Sequence, residues 1–214
     1  MLLMIVMDYV PTHDEFLKKV TSLSDQECLE YCDEILSHNA HTADALLMKS
    51  ACFIRLKNFE DVISCCNKII DLSDEGILNV AYDNKGLALS RLGKFTEALE
   101  CHKKSFELGG RNKKNLVNLS LALGGLDRYG ESSVMAGKAL KIDPNYAKAW
   151  NNQGYALHKL GKSEEGLKDV EKALELDPTD EDALESKQEI LDALSNPNRV
   201  KPGENFGTIP KEDN

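Results

Sequence analysis

Residues 144–178 constrain the chain more than any other stretch, because they place two apolar stripes at helical spacing on either side of a stop. Trp150, Gly154, Leu157 and Leu160 recur every three or four residues, the period of one helix face. Gly161 stands just past that stripe, where a left-handed stop is needed. Leu167, Val170, Ala173, Leu174 and Leu176 form the answering stripe, and Pro178 cannot continue the second helix. A helical hairpin of this size cannot bury both stripes by itself, so it needs neighbours.

The chain supplies them by repetition. At a shift of 34 residues Pro178 maps onto Pro144 and then Gly110, Gly154 onto Ser120 and Gly86, and Leu157 onto Leu123 and Leu89. Ala173 maps likewise onto Ala139 and Ser105. One copy further back the spacing is 36, with two residues inserted around Ser73 to Gly76. There Ser50, Phe53, Leu56, Phe59, Val62, Ile69 and Ile70 take the same roles. A 34-residue period with a large residue, a small one, then alanines and a proline is the signature of the tetratricopeptide repeat. From about residue 12 to 194 the chain resembles that family. The resemblance implies an all-α fold, a right-handed superhelical solenoid of antiparallel helical hairpins whose core grows with each copy.

The columns have a physical reason. Gly154, Ser120, Gly86 and Ser50 fall where the two helices of a hairpin cross most closely, with Ala98, Ser132 and Gly166 opposite them. A bulky side chain there would overpack the contact by roughly 1–3 kcal/mol. Trp150, Leu116, Tyr82 and Leu46 fill the gap between one hairpin and the one before it.

The expected organisation is an apolar segment at 1–11, a repeat domain at 12–194 and a disordered tail at 195–214. Within the domain, a degenerate capping repeat at 12–42 precedes full repeats at 43–78, 79–112, 113–146 and 147–180, and a capping helix at 181–194 closes the array. Capping boxes at Thr12–Glu15 and Ser24–Glu27 predict helices over 13–22 and 25–37. Gly124, Gly125 and Asp127 make the third full repeat the softest joint, at about 1 kcal/mol per helical glycine. Ala183, Ile190, Leu191 and Leu194 of the last helix are expected to cover the final hairpin while its acids face water.

A net charge of -10 argues against nucleic acid as a partner. No stretch reaches the roughly 18 apolar residues of a membrane span. Met1 to Val10 lacks the basic start and cleavage site of a signal peptide, so a cytoplasmic location is expected. The six cysteines form no disulfide framework and read as reduced thiols. Cys28 and Cys32, one turn apart and near His38 or His41, are the one arrangement with metal-ligand spacing. Both sit on columns of small apolar residues, where buried Cys acts as a small hydrophobe, so no metal and no cofactor are expected. His102 lies on a packing column, and no phosphate loop or His-Glu-x-x-His motif occurs, so the chain reads as non-enzymatic.

The resemblance implies a concave groove lined by the first helix of each hairpin. Its residues here are Asp44, Leu47, Ala51, Arg55, Asp83, Leu87, Arg91, Lys114, Val117, Leu121, Lys148, Asn151, Tyr155 and Lys159. Five are basic and two acidic, a surplus of three positive charges around an apolar middle. The expected occupant is a protein or peptide segment with apolar anchors and acidic flanks or a free carboxylate. The carboxylate clamp of heat-shock co-chaperones is not reproduced: its places hold Asp83, Leu87, Asn118, Lys148 and Asn152, of which two agree. The alternatives are a self-associating module, or a tail that places Phe206 and Ile209 in its own groove across a span of about 25 Å.

Overall fold

A computed structural model describes residues 11–38, 42–72 and 76–195. The N-terminal segment before Pro11, His41 and the tail beyond Ser195 lie outside the described residues. Among the described residues eleven α-helices follow one another, with no strand. They are α1 (His13–Val20), α2 (Asp25–Ser37), α3 (Thr42–Arg55), α4 (Phe59–Leu72), α5 (Leu78–Arg91) and α6 (Phe95–Glu107). Then come α7 (Lys113–Gly125), α8 (Tyr129–Ile142), α9 (Ala147–Lys159), α10 (Ser163–Leu176) and α11 (Glu181–Ser195).

Local chemistry sets the ends. Thr12 and Ser24 each exchange hydrogen bonds with the glutamate three residues on, so both capping boxes form. α1 stops at Val20 rather than residue 22 because the Thr21 and Ser22 hydroxyls turn back to donate to the Lys18 and Lys19 carbonyls. The four hairpin turns share one closure. Asn58, Lys94, Arg128 and Lys162 donate to the carbonyls of Phe53, Leu89, Leu123 and Leu157, each at 2.9–3.0 Å. The residue before each donor is left-handed: Lys57 at φ 60°, Gly93 at 74°, Asp127 at 58° and Gly161 at 84°. This is the helix-ending motif that favours glycine, and the side chains of Lys57 and Asp127 take it at a cost of about 1 kcal/mol each.

From α2 onwards consecutive helices pack together, and α3, α5, α7, α9 and α11 also touch in series, so they form a concave inner wall with the remaining helices outside. The result is an all-α superhelical solenoid with its core running between the layers. The crossings are as close as the small columns require. A Cβ on Gly154 would lie 2.5 Å from the Gly166 carbonyl oxygen. At α7–α8 the glycines are replaced by Ser120 and Ser132, whose hydroxyls donate to each other's carbonyls at 2.9 and 2.8 Å. At α5–α6 a Cβ on Gly86 would strike the ring of His102 at 2.7 Å.

α7 runs through both its glycines and closes like the other first helices, and the ring of Phe95 occupies the space that a Gly125 side chain would take. α11 departs from expectation. Ala183 and Ile190 are buried, but Leu191 and Leu194 are 39% and 38% exposed, because the helix docks through its Ala183, Ser186 and Ile190 face. Two of its acids, Asp182 and Glu189, pair with Arg91 and Lys159 of the inner wall while remaining half exposed.

Candidate functional site

The expected groove residues lie on α3, α5, α7 and α9. Leu47, Ala51, Leu87, Leu121 and Tyr155 are half-buried, as are Asp44 and Lys159, while Arg55, Arg91, Lys114 and Lys148 are exposed. Asp83, Val117 and Asn151 are not open to the groove: they are 8%, 5% and 6% exposed. Contact between successive first helices covers that face. A recess of about 560 Å³ lies where Ile54, Leu87, Arg91 and Lys148 face the turn that leads into α11.

The positive surplus is cancelled within the chain. Arg55 donates from Nε to Asp25 at 2.7 Å. Arg91 grips Asp182 through both terminal nitrogens, at 3.2 and 3.0 Å, so α5 is tied to α11 across 91 residues of sequence. Lys159 pairs with Glu189, and Lys114 Nζ lies 3.6 Å from Asp83. The Arg91 hydrogen bond holds the Asp182 carboxyl below the usual carboxylate range, and Lys148 adds to this through space. Among the described residues Lys148 alone of the five basic groups has no ion pair. Asp25, Asp182 and Glu189 were missed because they lie outside the first helices of the full repeats. The seven-residue spacing of Asp182 and Glu189, two turns of one helix face, was the available signal.

Behind the wall lies a buried polar cluster. The Asp83 oxygen Oδ1 accepts from His102 Nδ1 at 3.1 Å, Asn115 Nδ2 at 3.2 Å and Asn118 Nδ2 at 3.0 Å. Burial pushes the Asp83 carboxyl up, but the hydrogen bonds from His102 and Asn118 and the nearby Lys114 ammonium outweigh it and hold it below its ordinary value. His102 is wholly buried, and its Nε2 has no hydrogen-bond partner among the described residues. Asn118, one of the two places that agree with the co-chaperone clamp, is thereby committed to the interior.

Cys28, Cys32 and Cys52 meet in the core beside Phe16 and Ile35. Burial pushes the thiols up, to about 11 for Cys32 and about 12 for Cys52 and Cys66, which keeps them protonated. His38 is exposed at the end of α2. No group of three or more His, Cys, Asp or Glu among the described residues is arranged to hold a metal. No helix among them is long and apolar enough to cross a membrane.

Comparison with known proteins agrees with this geometry. Models of the tetratricopeptide repeat match residues 80–111 and 147–180. No curated protein matches the chain. Of the solved structures, the first TPR domain of human RPAP3 is 26% identical with a TM-score of 0.52, over 58% of this chain and 98% of its own. A MamA fragment from Desulfovibrio magneticus RS-1 is 17% identical with a TM-score of 0.64, over 78% and 94%. YrrB, a TPR protein with an unusual peptide-binding site, is 18% identical with a TM-score of 0.61, over 81% and 91%. The two matched stretches are tetratricopeptide repeats, and the hairpin turns outside them close with the same hydrogen bond.

Proposed function

We propose that this chain is a non-enzymatic scaffold that holds a peptide or helical segment of another protein against its wall of first helices. The observation that carries the reading is the open recess where Ile54, Leu87, Arg91 and Lys148 lie side by side, facing the acids Asp177, Asp180, Glu181 and Asp182 around the turn into α11. Apolar anchors on Leu47, Leu87, Leu121 and Tyr155 supply most of the affinity. An acidic flank or free carboxylate meets Lys148 and competes with Asp182 for Arg91. Because the other cations are already paired, salt weakens this binding only modestly. The six free cysteines support a reducing location such as the cytoplasm.

The test is a Leu87→Glu/Lys148→Glu double variant, checked for unchanged helicity and used for affinity capture from native lysate. Loss of specific partners is expected. Recovery of the same partners in the same amounts would overturn the groove reading.

A second reading, self-association or occupation of the groove by the residues after 195, is favoured by the exposed Leu184, Leu191 and Leu194 on α11. Truncation after Ser195 then raises partner affinity or dissolves an oligomer on sizing. No change in either removes it.

A further inference from the structure

The inner wall changes character at one step of the repeat. Arg55, Arg91 and Lys159 end α3, α5 and α9 at equivalent places, and Gly125 holds that place in α7. Two residues on, Lys57, Gly93 and Gly161 occupy the left-handed position of the turn, and Asp127 occupies it after α7. At the two places where the α3–α4 hairpin presents Arg55 and Lys57, the α7–α8 hairpin has Gly125 and Asp127, and the next residue, Arg128, is paired with Glu131.

The ring of Phe95 fills the space beside Gly125, and next to it opens a pocket of about 320 Å³. Phe95, Tyr129, Tyr155 and Leu121 supply its apolar lining, and Asp127 lies at its exposed edge. The Asp127 carboxylate accepts the Tyr129 hydroxyl at 2.6 Å and makes no ion pair among the described residues. Three rings outside the pocket carry a cation, Lys49 over Phe53, Arg111 over Phe106 and Lys113 over Tyr146, and of the pocket's own rings Tyr155 carries Lys159, all at 5.0–5.8 Å. Phe95 and Tyr129 carry none. Lys159, the nearby cation, is already held by Glu189.

We propose that this pocket receives a basic side chain, arginine or lysine, of the bound protein segment. Its aliphatic stem lies against the rings, and its cation sits over them and pairs with Asp127. An apolar side chain would fit the rings but would cover the carboxylate without a counter-charge. An acidic one would meet Asp127 with the wrong sign. The partner thus restores the cation that Gly125 removes from the column. This assignment rests on the groove reading and adds to it one residue of the partner.

The experiment is an amide NMR titration of the full chain with four capped amino acids as probes: N-acetyl amides of arginine, lysine, phenylalanine and glutamate. Saturable shifts at Gly124, Gly125, Asp127 and Tyr155 are expected for the two basic probes. Asp127→Asn, which keeps a residue tolerant of the left-handed backbone, should weaken them about tenfold by removing the charge. The proposal is overturned if phenylalanine binds the pocket more tightly than arginine, if Asp127→Asn leaves the basic probes unaffected, or if no probe saturates. The Leu87 and Lys148 double variant lies outside this pocket and reads the groove separately, so the two ideas can fail apart.

Discussion

The α9–α10 and α5–α6 hairpins solve one geometric problem in two ways. At α9–α10 two glycines face each other and backbone meets backbone, since a Cβ on Gly154 would sit 2.5 Å from the Gly166 carbonyl. At α5–α6 Gly86 makes room for an imidazole, and that imidazole brings Asp83 inside with it. The shared requirement is volume at the crossing, not a residue type. The consequence differs: one crossing is a contact of backbone with backbone, the other is the centre of a hydrogen-bonded network. The acids of the two hairpins show the same contrast. Asp83 collects three donors, whereas Asp169 on α10 has no hydrogen bond or ion pair among the described residues. Burial, with the nearby Glu165 charge, pushes Asp169 up to about 6.

The largest effect is expected at the backbone crossing. Gly154→Val should cost about 3 kcal/mol in urea unfolding, because the obstacle is a carbonyl that cannot rotate away. The gain of about 1 kcal/mol from removing a helical glycine is too small to offset it. Gly86→Ala meets a side chain instead and should cost about 2 kcal/mol. In a His102→Ala background the same substitution should cost at least about 1 kcal/mol less, a coupling that a double-mutant cycle measures. Equal costs in both backgrounds would show that the ring is not what Gly86 accommodates, and the contrast between the hairpins would be lost.

Next comes the network. Asp83→Ala leaves His102 and Asn118 with buried donors and no acceptor, and Asn115 with only the His102 carbonyl at 3.5 Å, and should cost about 2 kcal/mol. The pH dependence separates the two acids by sign. The folded-state carboxyl of Asp83 is held below its unfolded value, so its contribution is present above the unfolded value of 3.8 and is lost as pH falls through the folded one. Asp169 is raised to about 6, so its contribution is complete below 3.8 and disappears as pH rises through about 6. Asp169→Asn should therefore stabilise the fold at pH 7, by about 1 kcal/mol after discounting for its partial exposure, and the gain should vanish near pH 4. A gain that is the same at both pH values would mean that the carboxylate charge is not its source.

The contrast also marks what could be read from residues alone. Helix phase, the Gly161 stop and both capping boxes are local, so stripes and hydroxyl–carboxylate spacings reveal them. The small columns were legible because every hairpin needs them. The network at Asp83 was not, since a lone acid on a first helix reads as a groove residue until His102 and Asn115 are known to face it. Nor was the neutrality of the wall. Each hairpin adds a small rotation, and only the accumulated turn brings Asp182 to Arg91, 91 residues away. Gly125 was legible as a weak helix end but not as a gap in a cationic column, because Phe95 and Tyr129 reach that gap from other helices.

The smallest effect is expected at that long-range tie. Arg91 and Asp182 form a bidentate pair, but their side chains are 38% and 49% exposed. Solvent screens such a pair, so Arg91→Ala should change global stability by less than about 1 kcal/mol. Its local consequence should be larger. The pair joins the middle of the inner wall to the first turn of α11, where Asp182 meets few other constraints beyond the Lys57–Glu181 pair at 3.9 Å. Breaking it should speed amide exchange over Ala183 to Ser186 while leaving α9 and α10 unchanged. Asp182→Asn should do the same, and raising the salt concentration should move the wild type towards both variants. Uniform acceleration across α9 to α11 would mean that the tie supports the whole end of the array. The wall would then be held in its curve by charge as well as by packing.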